Sequence, residues 1–223
     1  MKYTAAILAV ALLLLAAGTA DAASIVAAYE GINGHGIKYS TTGGTPGTST
    51  TAGRFSFDRT STALADTWTG EPIYRDIPQE KFYSFCIDLG QSISSGDKTY
   101  LIEDLADVSR INDQTNAANH LAILWEEKYS MTMSTFDQAV FQTVVWEIVY
   151  EDYATYGYGV GGGKFRATST TANLESTANT WLAALAAGTW GTDAATLKAM
   201  TNGSYQDQIF EVAGDGDNIV PLP

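Results

Sequence analysis

The chain has 223 residues, of which 45% are hydrophobic and 17% charged, and its formal net charge is −13 at pH 7. These values predict one globular domain with a core of its own, and the negative charge argues against nucleic acid or an anionic membrane surface as a partner. Cys86 is the single cysteine, which excludes an internal disulfide, so packing must hold the fold together.

Residues 1–22 have the pattern of a secretory signal peptide. Lys2 precedes an apolar run at 5–17, and Ala-Asp-Ala at 20–22 has the small-x-small pattern that signal peptidase cleaves. A transmembrane anchor is the alternative, but the apolar run is short for a bilayer and has the wrong flanks. We therefore expect a secreted or cell-surface protein, cleaved near Ala22/Ala23, whose mature chain has no membrane span.

The stretch from about Ser24 to Glu103 predicts β-strands. It is rich in Thr, Gly, Ser and aromatic residues, and short alternating runs at 53–57 and 82–89 are typical of strands. The segment 40–53 consists almost wholly of Ser, Thr, Gly and Pro and predicts a loop.

The stretch 104–152 predicts helices. Apolar residues recur at helical spacing between 115 and 129. Ser134 is expected to cap a second helix, with Asp137 three residues later near the positive end of the helix dipole. This second helix is apolar around nearly its whole circumference, which is typical of a buried helix. Gln142 lies within that apolar surface.

Gln142 therefore needs a partner, because a buried amide without hydrogen bonds costs about 1–3 kcal/mol. Gln138, one turn earlier, is a competing amide. It lies next to the acidic helix start and lacks a tryptophan four residues later, whereas Gln142 has Trp146 in that position on its own helix face. We therefore rank Gln142 above Gln138 as a functional amide.

The last stretch mixes both kinds of structure. A Tyr- and Gly-rich loop is expected at 153–163, helices at 171–187 and 193–200, and a returning strand at 208–212.

Together these elements predict an α+β fold, with a mainly antiparallel β-sheet or barrel and a helical part at about 104–152 inserted into it or packed on it. We expect 23–213 to form a single domain and 214–223 to be a C-terminal tail. The Gly-rich runs lack the spacing of a phosphate-binding loop, and no motif predicts a metal or a cofactor.

Cys86 and Gln142 suggest a reaction, because a lone thiol in an exported protein has no disulfide partner. A thiolate held beside a carboxamide can attack its carbon, so that ammonia leaves and a thioester remains. This reaction needs proximity and orientation and the exclusion of water. An incoming amine, typically a lysine, would then take the acyl group and stay attached, so the protein would not turn over as an enzyme.

Two short segments resemble the motifs of thioester-domain surface proteins of Gram-positive bacteria. They are Phe-Cys-Ile-Asp at 85–88 and Gln-Thr-Val-Val-Trp at 142–146. That family has an aromatic-Cys motif and a later Thr-Gln-x-Ala-Ile-Trp motif, joined by an internal Cys–Gln thioester. Phe141 stands where the family has Thr, and the two valines stand where it has Ala and Ile. The resemblance implies a thioester-domain-like fold, a Cys86–Gln142 cross-link and covalent attachment to a lysine-bearing protein or polymer.

The wider run at 141–152 is similar to a group of exported PEP-CTERM proteins of Gram-negative and related bacteria. They combine an FCxDL-like strand with an FQxAxWE-like helix. The terminal Val-Pro-Leu-Pro resembles the start of their sorting signal, whose apolar helix and basic tail would follow. The resemblance covers roughly 82–152. It implies an adhesion or anchoring protein of the cell surface or extracellular matrix, with Phe85, Trp146 and Asp88 supporting the cross-link.

Two alternatives stay open. In the first, an exported structural or interaction module has the same fold and no thioester, because Cys86 is only a small buried hydrophobe and Gln142 bonds the backbone. In the second, Cys86 and a histidine form a cysteine hydrolase, although neither His35 nor His120 has a catalytic context. Asp88 should share a strand face with Cys86, where it could steer proton transfer or disfavour the thiolate, but we expect a polar strand end facing water.

Overall fold

The computed structural model describes residues 23–68, 81–114 and 116–212. The predicted signal peptide at 1–22 and the predicted tail at 214–223 lie outside the described residues.

Within this part of the chain, seven strands form one sheet in which every pairing is antiparallel. The strands are β1 (Ser24–Ser40), β2 (Thr48–Arg59), β3 (Lys81–Cys86), β4 (Asp97–Asp104), β5 (Arg166–Ser169), β6 (Leu197–Thr201) and β7 (Gln208–Glu211). Their order is β2-β3-β7-β6-β4-β1-β5, and β1 also pairs with β2. The long β1 therefore closes the sheet into a ring of six strands, with β5 added beside its C-terminal half.

The described helices lie between β4 and β6 in the chain. After a 3₁₀ turn at Leu105–Asp107 come α1 (Ser109–Asn112), α2 (Ala117–Lys128), α3 (Thr135–Tyr150), α4 (Tyr153–Tyr156) and α5 (Leu174–Ala186). The structure thus confirms an α+β fold with a large antiparallel sheet and helices packed on it. None of the described helices is both long and apolar enough to cross a bilayer.

Three strands, β6, β2 and β3, differ from the sequence prediction in type or in length. The predicted helix at 193–200 is wrong, because Leu197 begins β6, in which Leu197 and Ala199 are buried and the intervening Lys198 pairs with Asp104. The predicted loop at 40–53 is too long, since β2 begins at Thr48 and pairs with β1 through its Ser and Thr residues. Threonine favours strands where a partner is present.

The third difference lies at the predicted strand 82–89, which ends at Cys86. Beyond that residue the chain turns instead of continuing in the sheet, and this turn forms part of the candidate site.

The helix α3 lies at the centre of the molecule, as its composition predicts. Its N-terminus is capped by Ser134, whose Oγ accepts the Asp137 N–H at 3.1 Å. Every residue from 138 to 149 is buried, because α3 packs against β1, β2 and β3 on one side and against α2 and α5 on others. Each large apolar side chain buried in this way contributes about 1.5–3 kcal/mol.

Candidate functional site

The end of β3 meets α3 at Cys86 and Gln142. The Cys86 N–H donates to Gln142 Oε1 at 2.8 Å, and Gln142 Nε2 donates to the Cys86 carbonyl at 2.8 Å. Both residues are completely buried. The structure therefore brings together the two residues that the sequence singles out.

The amide of Gln142 takes the place of a neighbouring strand. On one edge, β3 pairs with β7 through Cys86 and Gln208. On the other edge, β2 pairs with β3 only as far as Ser84, and Gln142 supplies the donor and the acceptor that continued pairing with β2 would provide opposite Cys86. This explains how a polar side chain is accommodated in a buried helix.

The Cys86 sulfur sits in the turn that follows the strand. It accepts the Asp88 N–H at 3.2 Å, and the thiol lies 3.2 Å from the Asp88 carbonyl, to which it can donate. Burial raises the pKa of Cys86 to about 12, although the Asp88 N–H, the Trp146 indole and Arg110 act in the opposite direction. The unreacted thiol is therefore neutral near pH 7.

The segment after Cys86 is fixed by several distant elements. Arg110 in α1 donates from Nη1 to the Ile87 carbonyl at 2.8 Å. The Leu89 N–H donates to the Tyr150 hydroxyl at 2.7 Å, at the end of α3. These contacts hold the turn in one conformation beside α3, as a reaction that depends on proximity requires.

Asp88 is not the water-facing strand end that the sequence predicts. It is 1% exposed, because the strand has already ended and the chain turns inward. Its Oδ1 lies 3.1 Å from Arg110 Nη1 and accepts the Gly90 N–H at 2.7 Å, while its Oδ2 has no partner. The nearby guanidinium offsets part of the cost of burying this carboxylate.

Aromatic rings close the other side of β3. Phe85 lies against Phe141 with ring centroids 4.3 Å apart, and it meets Trp125 edge-on at 5.5 Å. Trp125 in turn stacks on Tyr129 at 4.7 Å. This packing keeps water from the strand end, as a thioester would require.

The competing residues lie in other surroundings. Gln138 is buried near the start of α3, where its Nε2 donates to the Met133 carbonyl at 2.8 Å. His120 Nδ1 is hydrogen-bonded to the Tyr158 hydroxyl at 2.7 Å, and His35 pairs with Ala52 in the β1–β2 hairpin. These contacts give the hydrolase alternative no support.

Two buried carboxylates near the end of α3, those of Glu147 and Glu151, were not predicted from the sequence. Glu147 Oε1 accepts the Gly159 N–H at 2.6 Å, and its Oε2 has no partner. Burial raises the pKa of Glu147 to about 8, with a further contribution from Glu151. The signal was present in the sequence: two acids four residues apart, one in the last turn of a largely apolar helix and one directly after it.

Glu151 connects the end of α3 to the chain that directly follows the Gly-rich loop at 153–163. Its carboxylate accepts the N–H groups of Lys164 at 2.8 Å and of Phe165 at 3.2 Å. A Cβ on Gly163 would collide with this carboxylate, so the close approach of the loop requires glycine there.

Within the described ranges, no group of three or more His, Cys, Asp or Glu side chains could hold a metal ion. Comparisons of the chain with models of protein families, with characterised proteins and with solved structures find no match.

Proposed function

We propose that Cys86 and Gln142 form an internal thioester through which an exported protein attaches covalently to amine groups of a partner. The observation that carries the proposal is the position of the Gln142 carboxamide, whose two polar atoms each lie 2.8 Å from the Cys86 backbone inside a fully buried site. The antiparallel sheet with α3 packed on it is compatible with the thioester-domain-like fold that the two motifs imply.

The first step forms the bond. The Cys86 thiol loses its proton, the sulfur attacks the Gln142 Cδ, and the bond from Cδ to Nε2 breaks. The proton leaves with the nitrogen, which departs as ammonia. No oxidant, reductant or cofactor is needed, and the buried position supplies orientation and the exclusion of water.

The second step consumes the bond. A neutral amine attacks Cδ, the bond from Cδ to sulfur breaks, and a proton from the amine returns to the sulfur. The product is an amide between Gln142 and the partner together with a free Cys86 thiol. Since the acyl group is spent, each molecule reacts once and does not act as an enzyme.

The partner that fits this chemistry is a lysine-bearing surface protein or polymer. A net charge of −13 attracts cationic, lysine-rich surfaces over a distance of about one Debye length, about 8 Å at physiological salt. The signal-peptide pattern at 1–22 supports a location at the cell surface or in the extracellular matrix, where attachment means adhesion or anchoring.

A second candidate is an exported structural or interaction module without the thioester. The observation that favours it is that Gln142 already makes hydrogen bonds through both ends of its amide. In this case Gln142 only extends the β3 edge and Cys86 is a buried apolar side chain.

Intact mass separates these candidates. With the thioester, protein exported by a host cell should weigh one ammonia less than the chain from Ala23 onward. Methylamine should then add its own mass and make Cys86 alkylatable after unfolding. Cys86→Ala and Gln142→Ala should each abolish the mass deficit and the addition, because each removes one of the bonded atoms.

Gln138→Ala is the matched control, since it removes a buried amide from the same helix and should leave both effects intact. A full mass, an alkylatable Cys86 in unfolded fresh protein and no addition of methylamine would reject the thioester and favour the module.

A further inference from the structure

We propose that the indole N–H of Trp146 is a catalytic hydrogen-bond donor to the Cys86 sulfur. It would stabilise the negative charge that the sulfur carries when the thioester forms and when an amine breaks it. This inference rests on the proposed thioester and assigns one side chain to its chemistry.

The first observation is that the Trp146 N–H makes no hydrogen bond of ordinary geometry. Trp146 is 1% exposed, and its Nε1 has no partner at ordinary hydrogen-bond geometry. Leaving a buried donor unpaired costs about 1–3 kcal/mol, and such groups are rare in native proteins. A packing role alone would be served by phenylalanine, which has no such N–H.

The second observation is the position of this donor. Trp146 follows Gln142 by one turn of α3, so both side chains lie on the same helix face. Gln142 contacts the Cys86 backbone on that face. The indole is within reach of the thiol, since hydrogen bonding by the Trp146 side chain acts to lower the pKa of Cys86.

The two observations are consistent because a neutral thiol is a weak acceptor. The Trp146 N–H makes no hydrogen bond of ordinary geometry although it acts on the thiol, and a thiolate would attract it far more strongly. The sulfur already accepts the Asp88 N–H at 3.2 Å, and Arg110 adds a positive charge nearby. Together these groups partly prepare the site for negative charge on sulfur, against the burial and the Asp88 carboxylate that raise the pKa of Cys86.

This preparation matters in both steps of the reaction. Before thioester formation, the proton must leave the thiol, and the sulfur carries the charge until it bonds to Gln142 Cδ. During transfer, the bond from Cδ to sulfur breaks, and the sulfur takes the electron pair before it regains a proton from the amine. A donor that bonds the thiolate but not the thiol or thioester lowers these barriers without stabilising the ground state.

Trp146→Phe tests the proposal, because it keeps an aromatic ring and removes the N–H. The measurement is the rate at which exported protein adds methylamine, followed by intact mass. We expect the variant to react about 100-fold to 1,000-fold more slowly than wild type, since losing one preorganised donor commonly costs about 10²–10³ in rate. A rate within about twofold of wild type, smaller than the effect of any such donor, would overturn the proposal.

Trp181→Phe is the control. Trp181 is a half-buried tryptophan of α5 outside the site, with Lys128 Nζ 5.6 Å from its ring centre. This variant should react at the wild-type rate, and equal slowing of both variants would show a general effect on packing and overturn the proposal.

A measurement on the wild-type chain keeps the test independent of how well a variant folds. In ¹⁵N-labelled protein, the indole resonance of Trp146 should shift when methylamine opens the thioester, while that of Trp181 on α5 should stay in place. An unmoved Trp146 resonance would overturn the proposal. If the thioester does not form at all, wild-type protein shows its full mass before any tryptophan is changed. This result is therefore distinguished from a failure of the Trp146 proposal alone.

Discussion

Gln142 makes both of its side-chain hydrogen bonds to one residue, and this pairing has a consequence for the proposed reaction. In the thioester the amide nitrogen is gone, so the Cys86 carbonyl would lose the donor that it has at 2.8 Å. An unpaired buried carbonyl costs about 1–3 kcal/mol. Attack by a primary amine creates a new amide N–H on Gln142, which can restore that bond. The site therefore favours the attached product over the stored thioester.

The sequence predicted this pair because both residues stand out locally, one as a lone thiol and the other as an amide in an apolar helix. It could not predict the burial of Asp88. That burial depends on the end of β3 at Cys86 and on a guanidinium from α1, which lies 3.1 Å from Asp88 Oδ1. Both are consequences of strand register and helix placement, which a local pattern does not encode.

Glu147 should make stability depend on pH. The pKa of Glu147 rises from 4.5 to about 8, chiefly through burial, and Glu151 adds to the rise. Between these values the folded protein holds one proton more than the unfolded chain. The free energy of unfolding should therefore fall through this window by about 1.4 kcal/mol per pH unit from this group, then level off above pH 8.

Glu147→Gln should remove that contribution, because the amide can still accept the Gly159 N–H but does not titrate in this range. Urea unfolding of both proteins at intervals from about pH 5 to about pH 9 measures the difference in slope. Glu126→Gln, at an exposed position of α2, should follow the wild-type curve. Parallel curves for wild type and Glu147→Gln would contradict the prediction.

At the scale of elements, α3 carries the helical half of the site. Gln142 contacts the end of β3, Trp146 follows one turn later, and Tyr150, one turn further, accepts the Leu89 N–H. The sequence predicted this helix well because its apolar run is long and its cap is distinct. The sequence did not predict β6, because its five residues are too few to show an alternating pattern. Its strand conformation depends instead on pairing with β4 and β7.

The hairpin of β1 and β2 depends on two facing glycines. Gly34 and Gly53 are opposite each other in the register, and a Cβ on Gly53 would collide with the Asn33 carbonyl and the Gly34 Cα. Gly53→Ala should therefore lower the free energy of unfolding by about 1–3 kcal/mol, because backbone must move to admit the methyl group. Urea unfolding measures the loss.

Gly36→Ala is the control in the same hairpin, since a Cβ there meets no atom within 4 Å. Its effect should be within about 0.5 kcal/mol, as for other surface substitutions. A Gly53→Ala protein as stable as Gly36→Ala would show that the two strands can separate at this point without cost.

At the scale of the whole molecule, β1 closes the fold. Its first residues pair with β4 and most of its length pairs with β2, so one strand joins the two ends of the sheet. Composition and alternation were enough to predict an antiparallel sheet with helices. Whether the sheet closes stayed open between a sheet and a barrel, because closure depends on pairing between residues far apart in the chain and on a register shift in β1 near Gly31.

The start of β1 is also held by the segment that follows β2. The Ser24 Oγ donates to the Ala65 carbonyl at 2.6 Å, and the Val26 N–H donates to Asp66 Oδ2 at 3.2 Å. Asp66 is paired with Arg59 through two hydrogen bonds, at 2.6 and 2.8 Å. A mature chain that begins at Ala23 would therefore have its first strand fixed immediately after the cleavage point.

Asp66→Asn should weaken this closure. Burial raises the pKa of Asp66, but hydrogen bonds from Arg59 and the Val26 N–H outweigh it and leave the pKa below its ordinary value. The pair thus stabilises the fold above that ordinary value and loses its effect as the pH falls through the lowered one. Near pH 7, removing one charge from this partly buried pair should cost about 1–3 kcal/mol, as for other hydrogen bonds to charged groups, measured by urea unfolding.

Asp58→Asn provides the comparison, because its pairing with Lys81 at 3.7 Å is solvent-exposed, and exposed pairs contribute about 0–1 kcal/mol. The loss in Asp66→Asn should be accompanied by faster hydrogen exchange at the Val26 amide, since the neutral side chain accepts that N–H more weakly. Equal stability of the two variants would mean that the Arg59–Asp66 pair is not needed to close the sheet, and that the pairing of β1 with β2 and β4 suffices.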